Sequence, residues 1–237
     1  MARLIWDDAG KKEFHTGISN GVLYTRNLSA TASQSPWNTG VAWNGLTGVT
    51  ENPEGADATD FWADNIKYAS LRAAEDFGGT IKAYMYPDEF MACDGSYVLA
   101  GGVAFGQQTR LPFCFAYMTV VGNDQNPEAG HMIHIIYNAT VSPSDKEYTT
   151  INDSPSILEF SWDLKTTPLN VATGIKPTSM ITVDSTKLTD GEENDDWVSL
   201  YNDLFGLDAD QTHSISAIEP HIVLPDAIYT LFGGAAG

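Results

Sequence analysis

Residues 157–166 alternate strictly, with Leu158, Phe160, Trp162 and Leu164 apolar and Glu159, Ser161, Asp163 and Lys165 polar. A period of two is the pattern of a β-strand with one buried and one wet face. Residues 109–121 behave differently. Phe113, Phe115, Tyr117, Thr119 and Val121 interleave with Cys114, Ala116, Met118 and Val120, so both faces of this strand are largely apolar. Such a strand is covered on both sides, by its own chain or by a neighbour's. Residues 131–141 form a third strand, 180–184 a short fourth, and 16–28 an extended stretch near the start. Residues 68–74 and 80–86 flank Gly78-Gly79 and are expected to pair as a β-hairpin around that turn.

The helical signal is concentrated late in the chain. Trp197, Leu200, Tyr201, Leu204 and Phe205 fall at i, i+3, i+4, i+7 and i+8, after Asn194-Asp195-Asp196 and before Gly206. That spacing predicts an amphipathic helix with an N-cap, an acidic first turn and a glycine stop. Pro87-Asp88-Glu89 opens a second helix of about two turns at most, closed by Asp94-Gly95. Between these elements, residues 29–62 carry Pro36, Gly40, Gly45, Gly48, Pro53 and Gly55, and are expected to be a long loop. Trp37, Trp43, Phe61 and Trp62 lie in it. They either fold back onto the chain's own core or dock on another subunit. Residues 219–237 are apolar with two prolines and a glycine-rich end, which reads as an arm that docks on something.

Composition narrows the class. The 237 residues are 43% hydrophobic and 11% aromatic, enough for a substantial core and for one domain spanning 1–237. Lys and Arg number 12 against 31 Asp and Glu, a net charge of −19. Residues 188–237 contain ten acids and no Lys or Arg, so −10 of that charge sits in the last fifty positions. Nucleic-acid affinity rests on Lys and Arg displacing counterions, and this balance excludes a protein that grips DNA. The two cysteines, Cys93 and Cys114, match no zinc or redox spacing, which suits a reducing cytoplasm. The first residues reach Asp7 and Asp8 before any apolar run could act as a signal, and no window is long and apolar enough to span a membrane.

Catalytic signatures are missing. There is no phosphate loop, no G-x-G-x-x-G and no G-x-S-x-G elbow. His131 and His134 are three apart on a strand, where such residues point to opposite faces and do not share a metal. Residues 190–196 are acidic without the spacing of a calcium loop and read as a solvated turn. No enzymatic activity, cofactor or metal is expected.

Four strings carry a family resemblance: DNIKYASLRAAEDFGGTIKAYMYPDEFMACDG at 64–95, FGQQTRLPFCFAYMTVVGND at 105–124, YTTINDSPSILEFSWDLKTTPL at 148–169 and KPTSMITVDSTKL at 176–188. In order and spacing they resemble the major tail proteins, the tail-tube subunits, of long-tailed, non-contractile phages and prophages of Gram-positive bacteria. The resemblance implies a mainly β fold: an antiparallel β-sandwich or small barrel with a flanking α-helix, a long loop and extended termini. It also implies hexameric rings stacked into a tube that conducts double-stranded DNA without binding it specifically. The partners it implies are further copies of the chain and other tail proteins, namely the tape measure, tail terminator and distal tail proteins. The implied location is the virion tail, after synthesis in the host cytoplasm, with no membrane involved.

A lumen that presents carboxylates lowers phosphate affinity and friction together. Glu159, Ser161 and Asp163, the clearest polar stripe on a strand, are the lumen-facing candidates; the same stripe also suits outer solvent. Trp37, Trp43, Phe61, Trp62, Ile222 and Leu224 are the candidates for subunit and inter-ring contacts. Six copies at −19 each carry −114, so assembly must come from apolar contacts. Two other classes fit the residues: a tail terminator or other virion ring protein, and an acidic carbohydrate-binding β domain.

Overall fold

The computed structural model describes residues 6–31, 34–55, 57–72, 75–99, 102–150, 157–171, 174–210 and 216–233. Among them the chain is mainly antiparallel β-structure. The strands are β1 (Phe14–Thr25), β2 (Val41–Trp43), β3 (Leu46–Gly55), β4 (Ala58–Ala63), β5 (Ile66–Arg72), β6 (Glu75–Ala83), β7 (Tyr97–Leu99), β8 (Val103–Phe105), β9 (Phe113–Gly122), β10 (Gly130–Val141), β11 (Phe160–Thr166) and β12 (Met180–Asp184). Two α-helices follow, α1 (Asp195–Phe205) and α2 (Pro225–Leu231). The main sheet runs β2-β1-β9-β10-β11-β6-β3, and β12 pairs with β10 beside β11. It curls without closing into a barrel: among the described residues β3 pairs only with β6 in this sheet, and β1 only with β2 and β9.

Strand β9 separates two cores, as its two apolar faces require. Phe113, Phe115 and Tyr117 enter a core inside the curl with Leu23, Trp43, Ile81, Phe90, Ile136 and Trp162. Its alternate residues Cys114, Ala116 and Met118 face a second core with Tyr24, Ile133, Ile135, Tyr137 and the helical residues Trp197, Leu200 and Leu204. The inner core is aromatic. Trp43 lies 4.5 Å from Phe90 and 5.6 Å from Trp162 between ring centroids, in tilted and edge-on contacts. On the outer side α1 is capped by Asn194, whose side chain accepts from the N–H groups of Asp196 and Trp197. Gly206 ends it with φ of 85°. Two buried tyrosines fasten the helical layer to the sheet: the Tyr24 hydroxyl donates to the Leu204 carbonyl, and the Tyr137 hydroxyl to the Val223 carbonyl at 2.8 Å.

Three expectations are corrected. Gly78-Gly79 is not a turn but the middle of β6, paired with Asn52 and Glu51 on one side and Lys165 and Leu164 on the other. A Cβ on Gly79 would lie 2.7 Å from the Thr50 carbonyl oxygen, so glycine serves close strand approach here rather than chain reversal. Residues 29–62 are not a loop, since they contain β2, β3 and β4. Pro53, one of the residues that read as punctuation, sits on β3 at the sheet edge, where a missing N–H is tolerated. The arm from Glu219, whose Ile222 and Leu224 were candidates for contacts with other subunits, docks on its own chain. Ile222, Val223 and Ile228 are buried in the outer core, and the Gly40 N–H donates to the Pro220 carbonyl at 2.7 Å.

Candidate assembly surfaces

The sheet leaves two kinds of surface uncovered. The outer core draws on β1, β9, β10 and β12 but on no residue of β11, β6 or β3. Among the described residues that half of the sheet is open on its outer side, where Lys82, Asp163 and Lys165 are exposed. Register places Ser161 opposite Lys82 and Asp163 opposite Thr80, with Thr50 opposite Thr80 on the far side. Residues directly opposite share a face. Thr80 donates to Asp163 at 2.8 Å and Thr47 to Glu159 at 2.6 Å. The predicted stripe of Glu159, Ser161 and Asp163 is thus real and wet, while Trp162 and Leu164 point inward and are buried. Lys82 and Lys165 lie on the same face, the latter 3.5 Å from Glu54.

The second surface is a β-ribbon that leaves the sheet. Beyond Gly55–Glu75 the β3–β6 pairing resumes three residues farther out as Ala58–Arg72, in the same register, and continues along β4 and β5. The chain reverses at Asp64-Asn65, with φ of 53° and 61°. Two consecutive positive φ values are the signature of a type I′ hairpin turn. Every residue of β4 is exposed, and in β5 only Ala69 is partly covered. Six residues of strand extend about 20 Å. Pairing puts Thr59, Phe61 and Ala63 on one face with Leu71, Ala69 and Ile66, and Asp60 and Trp62 on the other with Ser70 and Lys67. Lys67 and Asp60 form an ion pair at 2.6 Å on that second face.

Glu51 holds the foot of the ribbon against the curl. Although β3 is a sheet edge, Glu51 reaches β9 and β10: Tyr117 donates to its Oε1 at 2.6 Å and His134 Nδ1 lies 2.9 Å from the same oxygen. Thr119 contacts the other ring nitrogen of His134 at 3.0 Å, and the Tyr117 and His134 rings stack at 4.5 Å. The hydrogen bond to His134 holds the Glu51 carboxyl below its ordinary pKa, with Tyr117 adding to that and partial burial opposing it. Burial and the Glu51 charge push the Tyr117 phenol upward. His131, on the other face of β10, pairs instead with Glu192 at 2.6 Å, so the two histidines diverge as strand geometry demands.

The remaining contact candidates divide. Phe61 and Trp62 stand on the free ribbon, and Leu224 is partly exposed at the start of α2. Trp37, Trp43 and Ile222 are buried in the chain's own cores, which places their side chains out of reach of a neighbour. Sequence reasoning missed the exposed β7–β8 ribbon and the Glu51 anchor; the uncharged run at 95–109 was the available signal for the former. Among the described residues no group of three or more His, Cys, Asp or Glu side chains gathers as metal ligands, and no helix is long and apolar enough to cross a membrane.

No family model matches the chain, and no curated protein matches it. Among solved structures, one likeness is to a chain in the PVC sheath-tube complex, in its extended state, of an extracellular contractile injection system. The identity is 10% and the TM-score 0.35, over 69% of this chain and 88% of that one. Another is to a chain in the anti-feeding prophage baseplate, at 7% identity and TM-score 0.33, over 69% and 92%.

Proposed function

We propose that this chain is a structural, non-enzymatic subunit of a bacteriophage tail tube, assembled as hexameric rings stacked around a channel that conducts the genome. The observation that carries the reading is the β4–β5 ribbon. A two-stranded ribbon with both faces in water is marginal by itself, and this one exposes Phe61, Trp62, Ile66, Tyr68 and Leu71. Such a feature marks a surface that other chains cover, and it gains stability when they do. The resemblance of residues 64–188 to tail-tube subunits supplies the kind of assembly.

In this reading the open outer face of β11, β6 and β3 turns toward the channel. Glu159, Asp163 and Glu54 set carboxylates there, and Thr80, Thr50 and Ser161 supply hydroxyls that DNA slides past. Lys82 and Lys165 moderate the negative field, the latter tied to Glu54. Phe61 and Trp62 on the ribbon and Leu224 at the start of α2 make contacts between subunits. Trp37, Trp43 and Ile222 act from within by fixing the segments that carry those contacts. Other copies of the chain, and the tail proteins at either end of the tube, are its partners in the virion tail.

The test is sedimentation of the purified chain across a concentration series, with negative-stain electron microscopy of each fraction. Hollow tubes of regular axial repeat are expected above a threshold concentration. Closed single rings that never elongate would favour a terminator instead, and a monomer saturable by glycans would overturn the proposal.

A further inference from the structure

The ribbon of β7 and β8 projects from the fold without entering the main sheet. It hangs from a stem closed by the Gln108 N–H donating to the Gly95 carbonyl at 2.9 Å. Tyr97 pairs with Phe105 and Leu99 with Val103, so these four side chains share one face, while Val98 and Ala104 share the other. All four are about half exposed or more, between 48% and 60%. From Asp94 to Arg110 the intervening fifteen residues carry no charge at all, in a chain of net −19.

We propose that this face packs on the apolar face of the β4–β5 ribbon of a second copy of the chain. The proposal rests on the tail-tube reading and adds the contact that joins neighbouring copies. Three observations favour a second copy as the occupant. The chain carries both halves of the contact, because Phe61, Leu71 and Ile66 form the matching apolar face and neither face is covered among the described residues. Copies at −19 repel wherever their acids meet, and uncharged surfaces are where they approach without that cost. The two faces also differ, so the contact is head-to-tail, which generates rings or filaments rather than closed pairs.

Size sets when it forms. Four half-exposed side chains meeting a face of similar size bury on the order of 800 Å² in total, against roughly 1,200–2,000 Å² for a stable two-body complex. The contact therefore holds only when repeated around an assembly, and dilute chains stay monomeric.

Two full-length variants test this, Phe61→Cys and Phe105→Cys, one of them lengthened by a tag. The native thiols of Cys93 and Cys114 are buried and do not compete. Mixed, assembled and oxidised, they are expected to give a disulfide-linked species of one tagged and one untagged chain, which neither variant gives alone. Val103→Asp should raise the concentration threshold for assembly by about tenfold or more, since a carboxylate cannot be buried there unpaired. Ala104→Asp, on the opposite face, should leave the threshold unchanged. Near-ultraviolet circular dichroism of the tryptophan-rich core confirms that both aspartate variants are folded. Tubes that form without the mixed cross-link, with Val103→Asp assembling like the wild type, overturn the docking and leave the tube reading standing. A double variant that cross-links only within one chain also overturns the docking. A wild-type chain that stays monomeric up to its solubility limit overturns both.

Discussion

Glu51 ties the free ribbon to the rest of the fold, because from β3 it meets both Tyr117 and His134 across the curl. Its folded pKa is lowered from 4.5. A lowered carboxyl contributes stability that is fully present above its ordinary pKa and is lost as pH falls through the folded value. Urea unfolding of the wild type should therefore weaken from about pH 4.5 downward. Glu51→Gln is expected to flatten that slope and, allowing for partial exposure, to cost about 1 kcal/mol at pH 7. Parallel pH profiles for the two would contradict the anchor. Burial pushes the thiols of Cys93 and Cys114 up to about 12. Both are expected to ignore a thiol reagent at pH 8 in the native protein and to react at once in denaturant.

At the scale of elements, local signals proved readable and long-range ones did not. Helix α1 was legible because everything that makes it is close in sequence: the Asn194 cap, the spacing of Trp197, Leu200 and Leu204, and Gly206. Replacing Asn194 by Ala should cost about 1 kcal/mol in thermal or urea unfolding. That both faces of β9 are covered was equally legible, since its odd and even residues are both apolar; that both covers belong to the same chain came only from the fold. The β3–β6 ribbon was hidden because glycine has two uses that look alike in a sequence. Gly78 and Gly79 read as a turn, yet they are strand residues that let β3 approach closely. Gly79→Ala forces a Cβ against the Thr50 carbonyl, and a loss of about 1–3 kcal/mol is expected, measured by the urea midpoint. The true turn, Asp64-Asn65, lacks the glycine that usually marks it. Trp37 and Trp43, set among prolines and glycines, suit either the core or a docking surface by sequence; the pairing of Trp43 with Gly21 and the bridge from Trp37 to Arg26 bring both into the core. Of the candidate surfaces, the wet stripe on β11 was readable from alternation, whereas Lys82 joined it only through strand register.

At the scale of the whole molecule, net charge and exposed apolar ribbons act against each other. A charge of −19 keeps separate chains apart, while Phe61, Trp62, Tyr97 and Phe105 favour association. The balance is set by screening, whose range falls from about 10 Å at 0.1 M salt to about 3 Å at 1 M. The concentration threshold for assembly should fall as salt rises between those values, read by sedimentation; a threshold that rises would mean that ion pairs, not apolar faces, join the copies. The central claim is that copies of this chain enclose a channel lined by the open face of β11, β6 and β3. Electron cryomicroscopy of the assembled particle tests it most directly. A hollow six-fold tube is expected, with Asp163, Thr80 and Thr50 at the channel wall and α1 outside. A solid or ring-less particle, or a tube with that face turned outward and α1 at the wall, would contradict it.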